Sequence, residues 1–213
     1  MPRDADSLAE LLADARVWRL KDATAAASRP VWPTGRAVLD ARLPDGGWPT
    51  AALVEVLLSD YGLGEVQLFL PALLVDGAQR DAGAGRWLIW IAPPYEPYAP
   101  ALAQQGLDLR RFLVVRPESA TEALWAAEQA LQSGACAAVF LWLQGSDLRW
   151  LRRLKLAAEE GGALGVLFRP DRHRFESSPA TLRLALSRDA AGLLQIELLK
   201  VLGGQPASIA LEP

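Results

Sequence analysis

The stretch 54-VEVLLSDYGLGEVQLFLPAL-73 runs from an apolar strand through a glycine loop into a helical pattern. Chains that bind nucleoside triphosphates cradle the phosphates at such a junction. Their loop ends in Gly-Lys-Ser/Thr, the lysine serving the phosphates and the hydroxyl the magnesium ion. Here Gly62 and Gly64 keep the loop, but Glu65 and Val66 follow the last glycine. Exchanging lysine for glutamate alters the local charge by two units. At an effective dielectric near 20, each unit at about 4 Å is worth roughly 4 kcal/mol against a phosphate charge. That penalty corresponds to several decades of affinity. Val66 has no atom that can hold a metal. The frame of a phosphate loop is present and its chemistry is absent.

The flanks extend the pattern. Leu53–Leu58 reads as a buried strand and residues 64–80 as the following helix, with Pro71 either kinking it or marking its first turns. "RWLIWIAP" (86–93), "RFLVVRP" (111–117), "ACAAVFLWL" (135–143) and "ALGVLFRP" (163–170) read as further strands. The third is apolar on both faces, as a central parallel strand should be. Helices are predicted between them at 98–106, 119–134 and 146–162. In the second, Ser119 is placed to cap the N-terminus with Glu122 three residues on, and Gly134 to close it. After residue 180 the period changes. "TLRLALSR", "GLLQIELLKV" and "SIALEP" read as consecutive, antiparallel strands. The chain therefore predicts an α/β fold, βαβαβαβ with a mostly parallel sheet, ending in a β extension.

Upstream, Leu8, Leu11, Leu12, Ala15 and Trp18 share one face of an N-terminal helix that packs either on its own domain or on a partner. "SRPVWP" (28–33) reads as a linker, giving an arm over 1–33 and a domain over 34–213. Half the 213 residues are apolar and the net charge is −3, so the chain can bury a core and exerts no global pull on nucleic acid. One cysteine, Cys136, lies in an apolar run, and one histidine, His173, completes no metal-ligand set. With no apolar run of membrane-spanning length and no secretory leader, a cytoplasmic protein is expected.

Taken together, these stretches resemble the RecA recombinase core over residues 34–213. "TGRAVLDARLPDGGWPTAALVEV" is similar to RecA's lead into its phosphate loop. "YAPALAQQGLDLRRFLVVRPESATEALWAAEQALQSGACAAVFL" matches the next segment in spacing. The resemblance implies a three-layer RecA-like core with an N-terminal helical arm. It also places the departures. The phosphate-loop lysine and hydroxyl fall on Glu65 and Val66, the catalytic glutamate near Pro93 and Pro94, and the Walker-B aspartate on Trp142. A pseudo-ATPase without cofactor or metal is expected.

Two RecA-like families share such losses: ImuA, an accessory of bacterial translesion synthesis, and SulA, the damage-induced inhibitor of the division protein FtsZ. "RWLIWIAPPYEPYAPALAQQGLDLRRFLVV", "VFLWL" and "EEGGALGVLFRP" are similar to both. "GRAVLDARLPDGGWP" and "IELLKVLGGQPASIAL" look like ImuA. That likeness implies a non-catalytic adaptor working with RecA and with ImuB, a polymerase-like protein that has lost catalysis. SulA-type inhibition of FtsZ is the alternative.

The candidate contact surfaces are read from charge and aromatics. Arg149, Arg152, Arg153 and Lys155 in "LRWLRRLKL" form either a solvated helix face or a patch for an acidic partner. Arg169, Arg172, His173 and Arg174, beside Phe175, form a second basic spot on a loop, either touching single-stranded DNA or a protein, or merely solvated. His173 is expected to be solvent-exposed. Direct DNA binding is expected to be weak or absent, and self-association is left open. Of the eight tryptophans, Trp87, Trp90, Trp125, Trp142 and Trp150 are assigned to the core, whereas Trp18, Trp32 and Trp48 lie in the arm and lead-in, where an exposed ring would suit an interface.

Overall fold

The structure, a computed structural model, describes residues 30–74, 85–145, 147–201 and 207–211. The N-terminal helix with Leu8, Leu11, Leu12 and Trp18 lies outside the described residues, as does the end of the predicted helix 64–80.

Ten strands are described: β1 (Val31–Trp32), β2 (Trp48–Pro49), β3 (Ala52–Leu58), β4 (Trp87–Ile91), β5 (Phe112–Val115), β6 (Cys136–Trp142), β7 (Leu164–Pro170), β8 (Leu182–Arg188), β9 (Leu194–Val201) and β10 (Ala207–Leu211). The last eight form one sheet in the order β10-β9-β8-β3-β7-β6-β4-β5. β5, β4, β6, β7, β3 and β8 run parallel, and β9 and β10 are antiparallel. The expected antiparallel β extension is thus present as β8, β9 and β10, and its first strand joins it to the main sheet by pairing parallel with β3.

Every residue of β3 and β6 is buried, which is why their sequences are apolar on both faces. Two cores result. On one face Leu53, Ile89, Val139, Leu141 and Leu167 meet α4 (Ala120–Gln132) and α5 (Leu148–Gly161). On the other, Val54, Val56, Trp90, Phe140, Trp142 and Phe168 meet residues 30–74, which carry α1 (Ala37–Asp40) and α2 (Leu70–Ala72), and α3 (Ala99–Gln104). Helical elements on both faces make three layers.

Local signals hold the helices in place. Ser119 Oγ accepts the Glu122 N–H at 3.2 Å, and the Glu122 carboxylate accepts the Glu118 N–H at 2.9 Å. The last cap residue of α4 is Ser133, and Gly134 follows with φ 72°, the left-handed position that glycine favours. Asp147 Oδ1 caps α5 by accepting the Trp150 N–H at 2.9 Å.

The reading of residues 28–33 as a linker needs correction. Val31–Trp32 pairs with Trp48–Pro49, and both tryptophans are buried. The Trp48 indole N–H donates to Leu68 O at 3.1 Å, and its ring lies 4.5 Å from that of Phe69. The lead-in therefore buttresses the segment after the glycine loop, and neither Trp32 nor Trp48 is an exposed anchor. Trp125 departs the other way: expected in the core, it is 59% exposed on the outer face of α4.

Candidate functional site

The glycine loop leaves β3 at its C-terminal end, where open α/β sheets place their ligands. Gly62 (φ 80°) and Gly64 (φ 94°) both take left-handed backbone, so the tight loop needs glycine there. The chain then enters a 3-10 turn, Glu65–Leu68, before α2 (Leu70–Ala72), with Pro71 in its first turn. Of the two roles expected for Pro71, marking the first turn is the one observed.

Three stretches far apart in sequence meet beside this loop around an open cleft of about 240 Å³. Gly64, Glu65 and Val66 form one wall. Pro93, Pro94 and Tyr95, from the turn after β4, form another. Trp90 and Trp142, from β4 and the end of β6, form the floor. The resemblance placed its departures from the RecA pattern at Glu65 and Val66, at Pro93 and Pro94, and at Trp142. The fold brings all of them to one cleft. Ala92, just before the prolines, has φ 53°, a strained conformation for a residue with a Cβ, which turns the Pro-Pro segment toward the loop.

The chemistry of this cleft differs from that of a phosphate site at each wall. Glu65 is only 4% exposed and its Oε1 accepts the Gly62 N–H at 3.4 Å. The protein's own carboxylate thus faces the loop amide that a phosphate would otherwise use. No Lys, Arg or His among the described residues comes within 4.0 Å of it. Trp142 stacks on Phe168 at 4.7 Å and meets Trp90 edge-on at 5.6 Å. The strand end where a magnesium-orienting carboxylate would sit is an aromatic cluster instead. The indole N–H groups of Trp90 and Trp142 are buried without a hydrogen-bond partner among the described residues.

The second basic spot is built differently from the expectation. Arg169 is fully buried. Its Nη1 donates to Glu55 Oε1 at 2.7 Å and its Nη2 to Glu176 Oε2 at 2.9 Å. Arg183, directly opposite Glu55 in the β3–β8 register, donates from Nε to Glu55 Oε2 at 2.6 Å and from its Nη atoms to the carbonyls of His173 and Arg174. Arg174 pairs with Asp171 and Glu197. His173 is not solvent-exposed: its side chain is 13% exposed, with Nδ1 2.8 Å from Glu176 Oε1 and Nε2 2.7 Å from Gln144 O. Hydrogen bonds from His173 and then Arg169 hold the Glu176 carboxyl below its usual range. Of the four residues read as a basic surface, only Arg172 is exposed, and it donates to Gln144 O at 2.7 Å. Gln144 in turn donates to Tyr61 Oη at 2.7 Å, tying together the loops after β3, β6 and β7. Phe175 projects from this pinned loop, 94% exposed.

On α5, Arg153 pairs with Glu128 and lies 4.1 Å over the Trp150 ring, and Lys155 pairs with Glu159 at 3.7 Å. Arg149 and Arg152 are exposed. The patch is thus split between neutralised and open cations. Burial pushes the Cys136 thiol up, as expected of an inert core cysteine. No described helix is long and apolar enough to cross a membrane.

Residues 53–165, just over half of the chain, match the family model for the cell division inhibitor SulA. The chain belongs to the SulA family. Within it, the cell division inhibitor SulA of Edwardsiella piscicida is 29% identical over 134 residues, covering 63% of this chain and 80% of that protein. Protein ImuA of Caulobacter vibrioides is 31% identical over 141 residues, which bears out the resemblance to ImuA; the match covers 65% of this chain and 57% of that protein, so the chain spans less than two thirds of it. A crystal structure of SulA from Pseudomonas aeruginosa aligns with a TM-score of 0.43 at 27% identity, covering 55% of this chain and 97% of that one. The SulA-family segment begins at the second residue of β3 and ends at the second residue of β7. It therefore contains the cleft but not the Arg169 and Arg183 partners of Glu55.

Sequence reasoning missed the Glu55 network. Its signals were a glutamate inside "LVEVLL" and arginines inside "VLFRP" and "TLRLAL", single charges in otherwise apolar strands.

Proposed function

We propose that this chain is a non-catalytic, RecA-like adaptor in damage-induced, error-prone translesion DNA synthesis. In this role it engages RecA, the polymerase-like ImuB, or both. The observation that carries the reading is the cleft. The positions that would hold phosphate, metal and nucleophile converge there, and they present a carboxylate, a valine, two prolines and a tryptophan. A site so constituted repels a nucleotide and leaves its edges for protein contact. Similarity to an ImuA supports the pathway. So do strands β8 to β10, which prolong the sheet beyond the SulA-matched segment. The contact surfaces in this reading are the rim of the old nucleotide edge and the N-terminal arm.

Co-purification tests it. The tagged chain, recovered from cells whose DNA has been damaged, is expected to bring down RecA or a polymerase-like protein. Charging Leu11 and Leu12 should remove that partner while the circular dichroism spectrum stays unchanged. Calorimetry with Mg-ATP should give no binding at micromolar concentration; heat of binding there would end the pseudo-ATPase reading.

A second reading, a division inhibitor acting on FtsZ, is favoured by the family match and by the SulA relatives. FtsZ as the main co-purifying protein would move the chain to that class.

A further inference from the structure

The cleft holds a charge that its surroundings leave uncompensated. Glu65 is 4% exposed, yet its one hydrogen bond among the described residues is a long one, 3.4 Å from the Gly62 N–H. Its other oxygen opens to the cleft, and a largely buried carboxylate so placed is stabilised by a counter-charge or further donors. The neighbouring guanidinium groups are engaged elsewhere. Arg116 pairs with Glu96 at the rim, Arg188 donates to Leu63 O and Gly192 O, and Arg172 donates to Gln144 O. Around Glu65 stand aromatic rings: Trp90 and Trp142 below, and Tyr95, 64% exposed, at the mouth. Aromatic faces attract cations. The volume, about 240 Å³, lies below the roughly 300–1,000 Å³ of small-molecule pockets. It suits one long side chain.

We propose that this cleft is a recess for an arginine side chain presented by a protein partner. The former anion site has become a cation site. The guanidinium would enter past Tyr95, lie against the indole rings and pair with the Glu65 carboxylate. Arginine is favoured over lysine because a planar guanidinium can stack on a ring and fork to a carboxylate at once. The chain already uses this combination on its surface, where the Arg153 guanidinium lies over Trp150 and pairs with Glu128.

The inference deepens the adaptor reading and rests on it. Its test uses the 15N-labelled full chain and the indole N–H signals of Trp90 and Trp142, titrated with the peptide acetyl-Gly-Arg-Gly-amide. The same peptide with citrulline, the neutral isostere, is the control. The expected result is a saturable shift of both signals with arginine and none with citrulline. Glu65→Gln should weaken binding at least about tenfold, because a charge-assisted fork becomes a neutral contact, while its melting temperature is kept. Tyr95→Ala, at the exposed mouth, should weaken it by a smaller factor without touching the core. It carries the test if Glu65→Gln does not fold. Equal shifts with citrulline, no shift with arginine, or binding unaffected by both variants would overturn the recess. Mg-ATP in place of the peptide separates the two readings. If it moves the same signals, the inert-site reading falls as well. If both ligands are silent, only the recess falls.

Discussion

Glu55 and Glu65 lie ten positions apart on one strand and the loop that follows it, and both are buried. Their surroundings are opposite. Glu55 faces two guanidinium groups at 2.7 and 2.6 Å, supplied by the strands on either side. Glu65 faces one amide at 3.4 Å and a set of aromatic rings. The difference separates a charge that organises the fold from a charge held open. Burial alone does not tell the two apart; the inventory of partners does. Glu55 pins the loop after β7 through Arg169 and Arg183, whereas Glu65 pins little and lines a cleft.

Substitutions along this series of carboxylates should rank by partners. Glu55→Gln should have the largest effect, a loss of about 3–5 kcal/mol, because two buried guanidiniums lose their counter-ion. Urea unfolding should show a lower midpoint at unchanged slope. A change under about 1 kcal/mol would break the comparison, since Glu55 would then be no better anchored than Glu65. Asp147→Ala, which removes a helix cap made at 2.9 Å, should cost about 1 kcal/mol in the same assay. Glu65→Gln should stay within about 0.5 kcal/mol of the parent or raise its stability, because neutralising an uncompensated carboxyl removes a cost.

The smallest effect belongs to Glu176, which is half-exposed. Its folded carboxyl is held down by hydrogen bonds from His173 and then Arg169. Its contribution is therefore present above the unfolded value near 4.3 and fades as pH falls through the lowered folded one. Unfolding curves of the parent and Glu176→Gln should differ slightly at neutral pH and converge in acid. Divergence in acid would reverse the sign and refute the assignment.

Much of this was legible in the chain. β6 and the helices on either side of it, α4 and α5, were readable because "ACAAVFLWL" is too apolar for any place but a sheet interior, and because Ser119 and the glycines at 134 and 162 punctuate helical periods. The cleft was legible as three separate departures from the resembled pattern, and the fold added that they share one space. The Glu55 network was not legible. Its signal, one charge per apolar strand, is visible, but pairing Glu55 with Arg169 and Arg183 requires knowing that β3 lies between β7 and β8. The surface also misled. Arg169, Arg172, His173 and Arg174 near Phe175 read as a basic patch, yet Arg169 and Arg174 find carboxylates as far away as Glu55 and Glu197, beyond the reach of any local window.

The sheet order also governs when the protein can form. β3 is made before both of its neighbours, β7 and β8, and three other strands are synthesised in between. At about 5–20 residues per second, roughly ten seconds separate the emergence of β3 from that of β8. Until then an all-buried strand carrying a lone glutamate waits without a partner. Contacts this distant along the chain make closure slow. A ribosome-bound chain halted before residue 164 should therefore be protease-sensitive across β3, and a later-made stretch acts as the trigger that lets an earlier one fold.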